Sequence, residues 1–138
     1  MTTYRVLLAH PKALSDDEID ALRDQTHAHL SAALPDRTVL VTAGRDEHAA
    51  TFRRAGTWDA WARDVARGVE YGTGDVRYHA FVVAPDPGVG RATERIVRHA
   101  LSAEKPVLLL AARGFTRVRA LETPTHGGDY YVSAVCVS

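Results

Sequence analysis

Short apolar runs alternate with longer amphipathic ones along this chain. YRVLLAH (4–10), TVLVTA (38–43), YHAFVVA (78–84) and PVLLLAA (106–112) are nearly continuous hydrophobic stretches. They are too short for helices of their own and have the bulk expected of strands buried on both faces. SDDEIDALRDQTHAHLSAAL (15–34) instead repeats its apolar residues at helical spacing, with Ile19, Leu22, Leu30 and Ala33 on one side. Ser15 and Glu18 form a capping box, Asp16 and Asp17 suit the positive end of the helix dipole, and Pro35 ends the segment. Thr57 predicts the N-cap of a second helix, WDAWARDVARGV, whose buried face is Trp58, Trp61, Val65 and Val69. A third helix is predicted from about Gly90 to Ala103. GRDEHAATFRRAG (44–56) reads as a loop with one or two helical turns. After Gly114 the segments FTRVRAL (115–121) and YYVSAVCVS (130–138), separated by ETPTHGGD, predict two further strands, arranged as an edge hairpin.

Strands alternating with helices imply βαβ units and a mostly parallel sheet. The fold class expected is α/β: a small flavodoxin-like or Rossmann-like three-layer sandwich with an additional C-terminal strand or hairpin. The first four strands should be neighbours with helices on both faces, and residues 1–138 should form one domain. Ligands of such sheets bind beyond the carboxyl ends of the strands. That rule selects His10 to Leu14, Ala43 to His48, Ala84 to Glu94 and Ala112 to Phe115.

Composition narrows the function classes. The formal net charge is zero, and 25% of the residues are charged. Nothing in that balance steers the chain toward nucleic acid or a membrane surface. The single cysteine, Cys136, rules out a disulfide within the chain. The absence of a long apolar span or leader pattern gives cytoplasmic as the expected location.

The candidate chemistry lies in APDPGVGRATERIVRHAL (84–101). Gly88 and Gly90 would let the backbone approach a ligand closely, and a helix start offers N–H groups to an anion. GVGRAT falls short of a dinucleotide fingerprint because Thr93 stands where a third Gly or Ala belongs. With Thr93, Ile96, Val97, Ala100 and Leu101 as the buried stripe, Glu94 lies at its margin, aimed at the crevice above the sheet. A poorly solvated, ionised carboxylate there has the properties of a nucleophile toward a sugar carbon.

This arrangement, YHAFVVAPDPGVGRATERIVRHALSAEKPVLLL, resembles the core of the nucleoside 2-deoxyribosyltransferases and their N-glycosidase relatives. YRVLLAHP resembles the first strand and turn of that family, and WDAWARDVARGV the helix before its third strand. The resemblance implies that Glu94 occupies the nucleophile position and Asp64 that of a carboxylate that binds or protonates the base. It differs at His79, where the family has aspartate, and at Gly88, where an acidic residue precedes the glycine turn. Asp86 is the nearest carboxylate there. Related sandwiches include domains that only sense a nucleotide.

The expectation is an enzyme of the N-glycosidic bond, transferring or hydrolysing the 2-deoxyribosyl group of a nucleoside or nucleotide. Glu94 and Asp64 would be catalytic, with His10, Asp86, Gly88 and Gly90 binding substrate. The alternative is a noncatalytic domain that senses a nucleoside or nucleotide derivative. An enzyme needs Glu94 open to a pocket shared with a second carboxylate; in a binder Glu94 can be tied to Arg91 or Arg98. No cofactor and no metal are expected: His27 and His29 point about 200° apart on a helix, and His10, His48 and His126 lack ligand spacing. A homo-oligomer is expected, because the uncharged C-terminal strand needs cover if it lies at a sheet edge.

Overall fold

A computed structural model describes residues 3–68, 74–84, 91–111, 114–121 and 134–137. The elements run in the order β1 (Thr3–Ala9), α1 (Asp16–Ala33), β2 (Thr38–Ala43), α2 (Gly44–Ala55), α3 (Trp58–Arg67), β3 (Ala80–Val83), α4 (Arg91–Ser102), β4 (Val107–Ala111), β5 (Gly114–Leu121) and β6 (Ala134–Val137). They form one sheet in the order β2-β1-β3-β4-β5-β6. The first four strands are parallel neighbours, whereas β5 and β6 run antiparallel as a terminal pair with β6 outermost. This is the expected mostly parallel α/β sandwich with its C-terminal antiparallel addition.

The layers follow from the alternation of side chains along each strand. Val6 and Leu8 of β1, Val39 and Val41 of β2, and Ala80 and Val82 of β3 face Leu30 and Leu22 of α1. Leu7, Phe81 and Val83 point the other way, into a second core with Trp61 and Val65 of α3 and Ile96, Val97 and Ala100 of α4. Val6, Leu7, Leu8, Phe81 and Val82 are fully buried. Each such side chain stabilises the fold by about 1.5–3 kcal/mol relative to exposure. No helix among the described residues is long and apolar enough to cross a membrane.

Local signals set the helix limits. The α1 capping box forms, with the Ser15 hydroxyl accepting from the Glu18 N–H and the Glu18 carboxylate accepting from the Ser15 N–H. Thr57 caps α3 by accepting from the Ala60 N–H. The segment expected to be mostly loop is the twelve-residue helix α2. Asp46 and Glu47 occupy its first turn and Arg53 and Arg54 its last, which complements the dipole at both ends. Gly56 then ends it in the left-handed conformation at φ 81°, which a glycine adopts without strain. A stripe of alanines with one phenylalanine is a weak periodic signal, which explains why hydrophobic spacing alone missed this helix.

The two tryptophans part company. Trp61 is 3% exposed, and its indole N–H donates to the Thr51 hydroxyl at 2.9 Å. Trp58, one turn earlier, is 39% exposed and stacks on His48 with ring centroids 5.1 Å apart. Val69 lies outside the described residues. Trp61→Ala is therefore expected to cost about 3–5 kcal/mol, through a core cavity and a lost hydrogen bond. Trp58→Ala should cost markedly less. Urea denaturation of both variants checks this; equal costs would contradict the packing described.

Candidate functional site

The strand order reverses direction between β1 and β3, so the crevice at their carboxyl ends is the topological switch point of the sheet. The Ala84 N–H donates to the Ala9 carbonyl at 2.9 Å and ties the two strand ends together. His10 follows β1 directly. Its Nε2 accepts from the Arg45 backbone N–H at 3.0 Å. That nitrogen carries no proton, so the neutral ring bears its hydrogen on Nδ1, 3.0 Å from the Pro11 carbonyl that accepts it. His10 thus acts as a side-chain cap for α2, whose own N-cap residue, Ala43, offers none. Gly44 permits the approach: a Cβ there would lie 3.3 Å from the Leu8 carbonyl oxygen and 3.7 Å from His10 Nε2.

A web of charge surrounds this cap. Arg45 bonds Asp16 at 2.9 Å, Asp20 at 3.2 Å and Asp46 at 3.1 Å, and Arg23 meets Asp20 at 3.2 Å. Hydrogen bonds to Asp46, Asp16 and Asp20 hold the Arg45 guanidinium even more firmly protonated than usual. The web joins the starts of α1 and α2 across the strand ends.

Glu94 sits in the first turns of α4 and is buried like its neighbour Thr93. Its side chain is 12% exposed, and Arg98, one turn on, donates from Nε to the carboxylate. Asp64 does not join it. That carboxylate is 57% exposed and lies 3.7 Å from Arg63, whereas Trp61, Ala62, Val65 and Ala66 form the buried face of α3. Asp86, Gly88 and Gly90 lie outside the described residues. Among the described residues, no cluster of three or more His, Cys, Asp or Glu side chains could hold a metal ion.

A second polar constellation surrounds Glu47, in the segment expected to be mostly loop. Glu47 of α2 is 4% exposed. The Arg77 Nη2 lies 2.7 Å from both of its carboxylate oxygens, and the Thr51 hydroxyl donates to Oε2 at 2.9 Å. Tyr78 is buried nearby; burial first, then the Glu47 charge, raises its phenol well above the usual range. These groups border a cleft of about 400 Å³ between α2 and the outward side of β2, lined also by Arg5, Leu40 and Arg54. The available signal was the dipole pattern of α2, which places Glu47 in a helix and hence on a definite face.

His79, at the position where the resembled family has aspartate, serves the sheet. Its Nδ1 accepts from the Arg5 backbone N–H at 3.0 Å, and its ring stacks on Tyr4. Comparison of the chain with family models, characterised proteins and solved structures gives no match.

Two outcomes are expected. Burial, reinforced by Arg5, Lys105 and Arg37, lowers the His79 pKa below the ordinary value of 6.5. The unfolded chain then binds the proton more readily, so stability is retained above about pH 6.5 and falls as pH drops through that value toward the folded pKa. His79→Asn, which keeps an acceptor for Arg5, should show a smaller loss between pH 7.5 and 5.5 in denaturant midpoints. Glu47→Ala should destabilise the fold by about 3 kcal/mol, because it strands Arg77 beside a buried space. Arg77→Ala in the same background should add little, since both changes remove one interaction. Additive costs in denaturation would refute the coupling.

Proposed function

We propose that this domain binds a nucleoside or nucleotide derivative in the crevice above the carboxyl ends of β1 and β3, as a sensing module without glycosyl chemistry. The engagement of Glu94 by Arg98 carries this reading. A nucleophilic carboxylate must offer an oxygen to the sugar carbon, with a proton donor near the departing base. Here one carboxylate oxygen already accepts from a guanidinium, and the carboxylate matched to the base-binding role, Asp64, faces solvent on α3. His10 has both ring nitrogens in use within the chain, which leaves ligand recognition to backbone groups at the strand ends and to the start of α4. The switch-point position and the resemblance of residues 78–110 to nucleoside-binding sandwiches supply the ligand class. A homo-oligomer belongs to the same proposal, since β6 is the outermost strand of the sheet and a second copy would cover it.

Glycosyl transfer is the second reading. The burial of Glu94 in the first turns of α4 favours it, and it requires Arg98 to swing aside when substrate enters. One experiment separates the two. The protein is incubated with a deoxynucleoside and a different free base, and exchanged nucleoside and free sugar are followed, while calorimetry measures nucleoside and nucleotide binding. Binding without exchange, in both the wild type and Arg98→Ala, is the expected result. Exchange that disappears in Glu94→Ala establishes transfer instead. No binding of any nucleoside or nucleotide overturns both readings.

A further inference from the structure

The turn from α4 into β4, at the amino ends of the strands, sets a lysine in an apolar position. α4 closes as a Schellman motif: the Glu104 N–H donates to the Leu101 carbonyl and the Lys105 N–H to the Ala100 carbonyl, both at 3.0 Å. Glu104 takes the left-handed place at φ 60°, where glycine is the usual residue. Lys105 therefore falls two positions past the helix cap, where an apolar side chain commonly packs back onto the last turn. Pro106 ties this turn to β3, its carbonyl accepting from the Phe81 N–H at 3.0 Å. The Lys105 Nζ atom ends 5.9 Å from the centre of the fully buried Phe81 ring. It is out of contact with solvent and has no hydrogen-bond partner among the described residues. We propose that Lys105 is a carbon dioxide site, its amine forming a reversible carbamate.

A leucine or methionine would fill this place without stranding a polar atom, so packing alone does not account for the amine. Desolvation lowers the Lys105 pKa below the usual lysine value, which favours the neutral amine, the nucleophilic form. Its lone pair forms the N–C bond, one C=O electron pair moves onto oxygen, and a proton leaves the nitrogen for water. Two features select carbon dioxide among electrophiles. It is small, neutral and apolar, like the surroundings of the nitrogen. Lys105 as a whole is half-buried, so rotation of its stem meets the gas without opening the core. The product, moreover, is an anion among cations. Lys105, Arg5 and Arg37 all act electrostatically on the His79 ring, with the Asp75 carboxylate acting against them. Charge works there through space, whatever hydrogen bonds each group already makes. A carbamate on Lys105 places a negative charge in that field, whereas acylation leaves a neutral amide that gains nothing from it.

The test is carbon-13 NMR of the intact chain titrated with labelled bicarbonate at about pH 8, where a lysine of lowered pKa offers free amine. Trapping with triethyloxonium and peptide mapping locate the carbamate. The chain has two lysines, and the exposed Lys12 is the internal control. Saturable carbamate on Lys105, lost in Lys105→Met, is the expected result. Methionine fills the same apolar place, so thermal stability should be kept. Lys105→Arg, which keeps a cation without a reactive amine, should lose the carbamate as well. In the wild type, bicarbonate should also move the His79 titration to higher pH, because an anion then lies nearby; in Lys105→Met it should not. No carbamate on Lys105, or equal carbamate on Lys12, overturns the proposal. So does labelling of Lys105 by acetyl phosphate but not by carbon dioxide, which makes it an acylation site instead. Lys105 follows the last turn of α4, whereas Glu94 lies in the first turns. Nucleoside binding is therefore expected to persist in Lys105→Met, and a failure here is distinct from a failure there.

Discussion

The central strands β1 and β3 have no solvent face, and most of this molecule follows from that constraint. Val6, Leu8, Ala80 and Val82 must be covered on one side, and Leu7, Phe81 and Val83 on the other. A parallel pair also needs a crossover between its members. With α1 over one face and α3 and α4 over the other, both demands are met, and the strand order reverses between β1 and β3. The reversal lies at the carboxyl ends of β1 and β3, where sheets of this kind bind their ligands.

The carboxyl-end rim is braced by its charges. His10 caps α2, and Arg45 bridges three aspartates across the starts of α1 and α2. Such exposed pairs contribute little individually, but the web fixes the geometry of two strand ends at once. Glu94 is buried and meets its charge requirement through Arg98 on its own helix. A short-range pair of this kind neutralises the carboxylate without help from a ligand. That pairing is the observation behind the proposed recognition role.

The α2 side of the sheet follows a different logic. β2 is an edge strand, so Leu40 stays exposed and a cleft remains beneath α2. The polar chain from Trp61 through Thr51 to Glu47, and on to Arg77, links α3, α2 and the approach to β3. It joins an apolar core to a basic cleft within a few side chains. Buried hydrogen-bonded networks of this kind are sensitive to the loss of any member.

Some of this was legible in the residues alone. The apolar runs at 4–10, 38–43, 78–84 and 106–112 specified four buried strands, because only strands of that length can be hydrophobic throughout and still be covered on both faces. The capping box at Ser15 is local chemistry, fixed by a neighbour three positions away. The stripe of α4 put Glu94 at its margin, and its carboxylate is buried, but its partner could have been Arg91 or Arg98. Spacing could not choose, because both lie within one turn of it. Tertiary structure alone decided the rest. It turned Asp64 to solvent by burying the opposite face of α3, and it recruited both nitrogens of His10 by starting α2 beside β1. It also brought Glu47 to Arg77, thirty positions away in sequence. Periodicity records which side of an element is apolar. Contacts between polar groups on different elements depend on how those elements are laid against one another, and no local pattern encodes that.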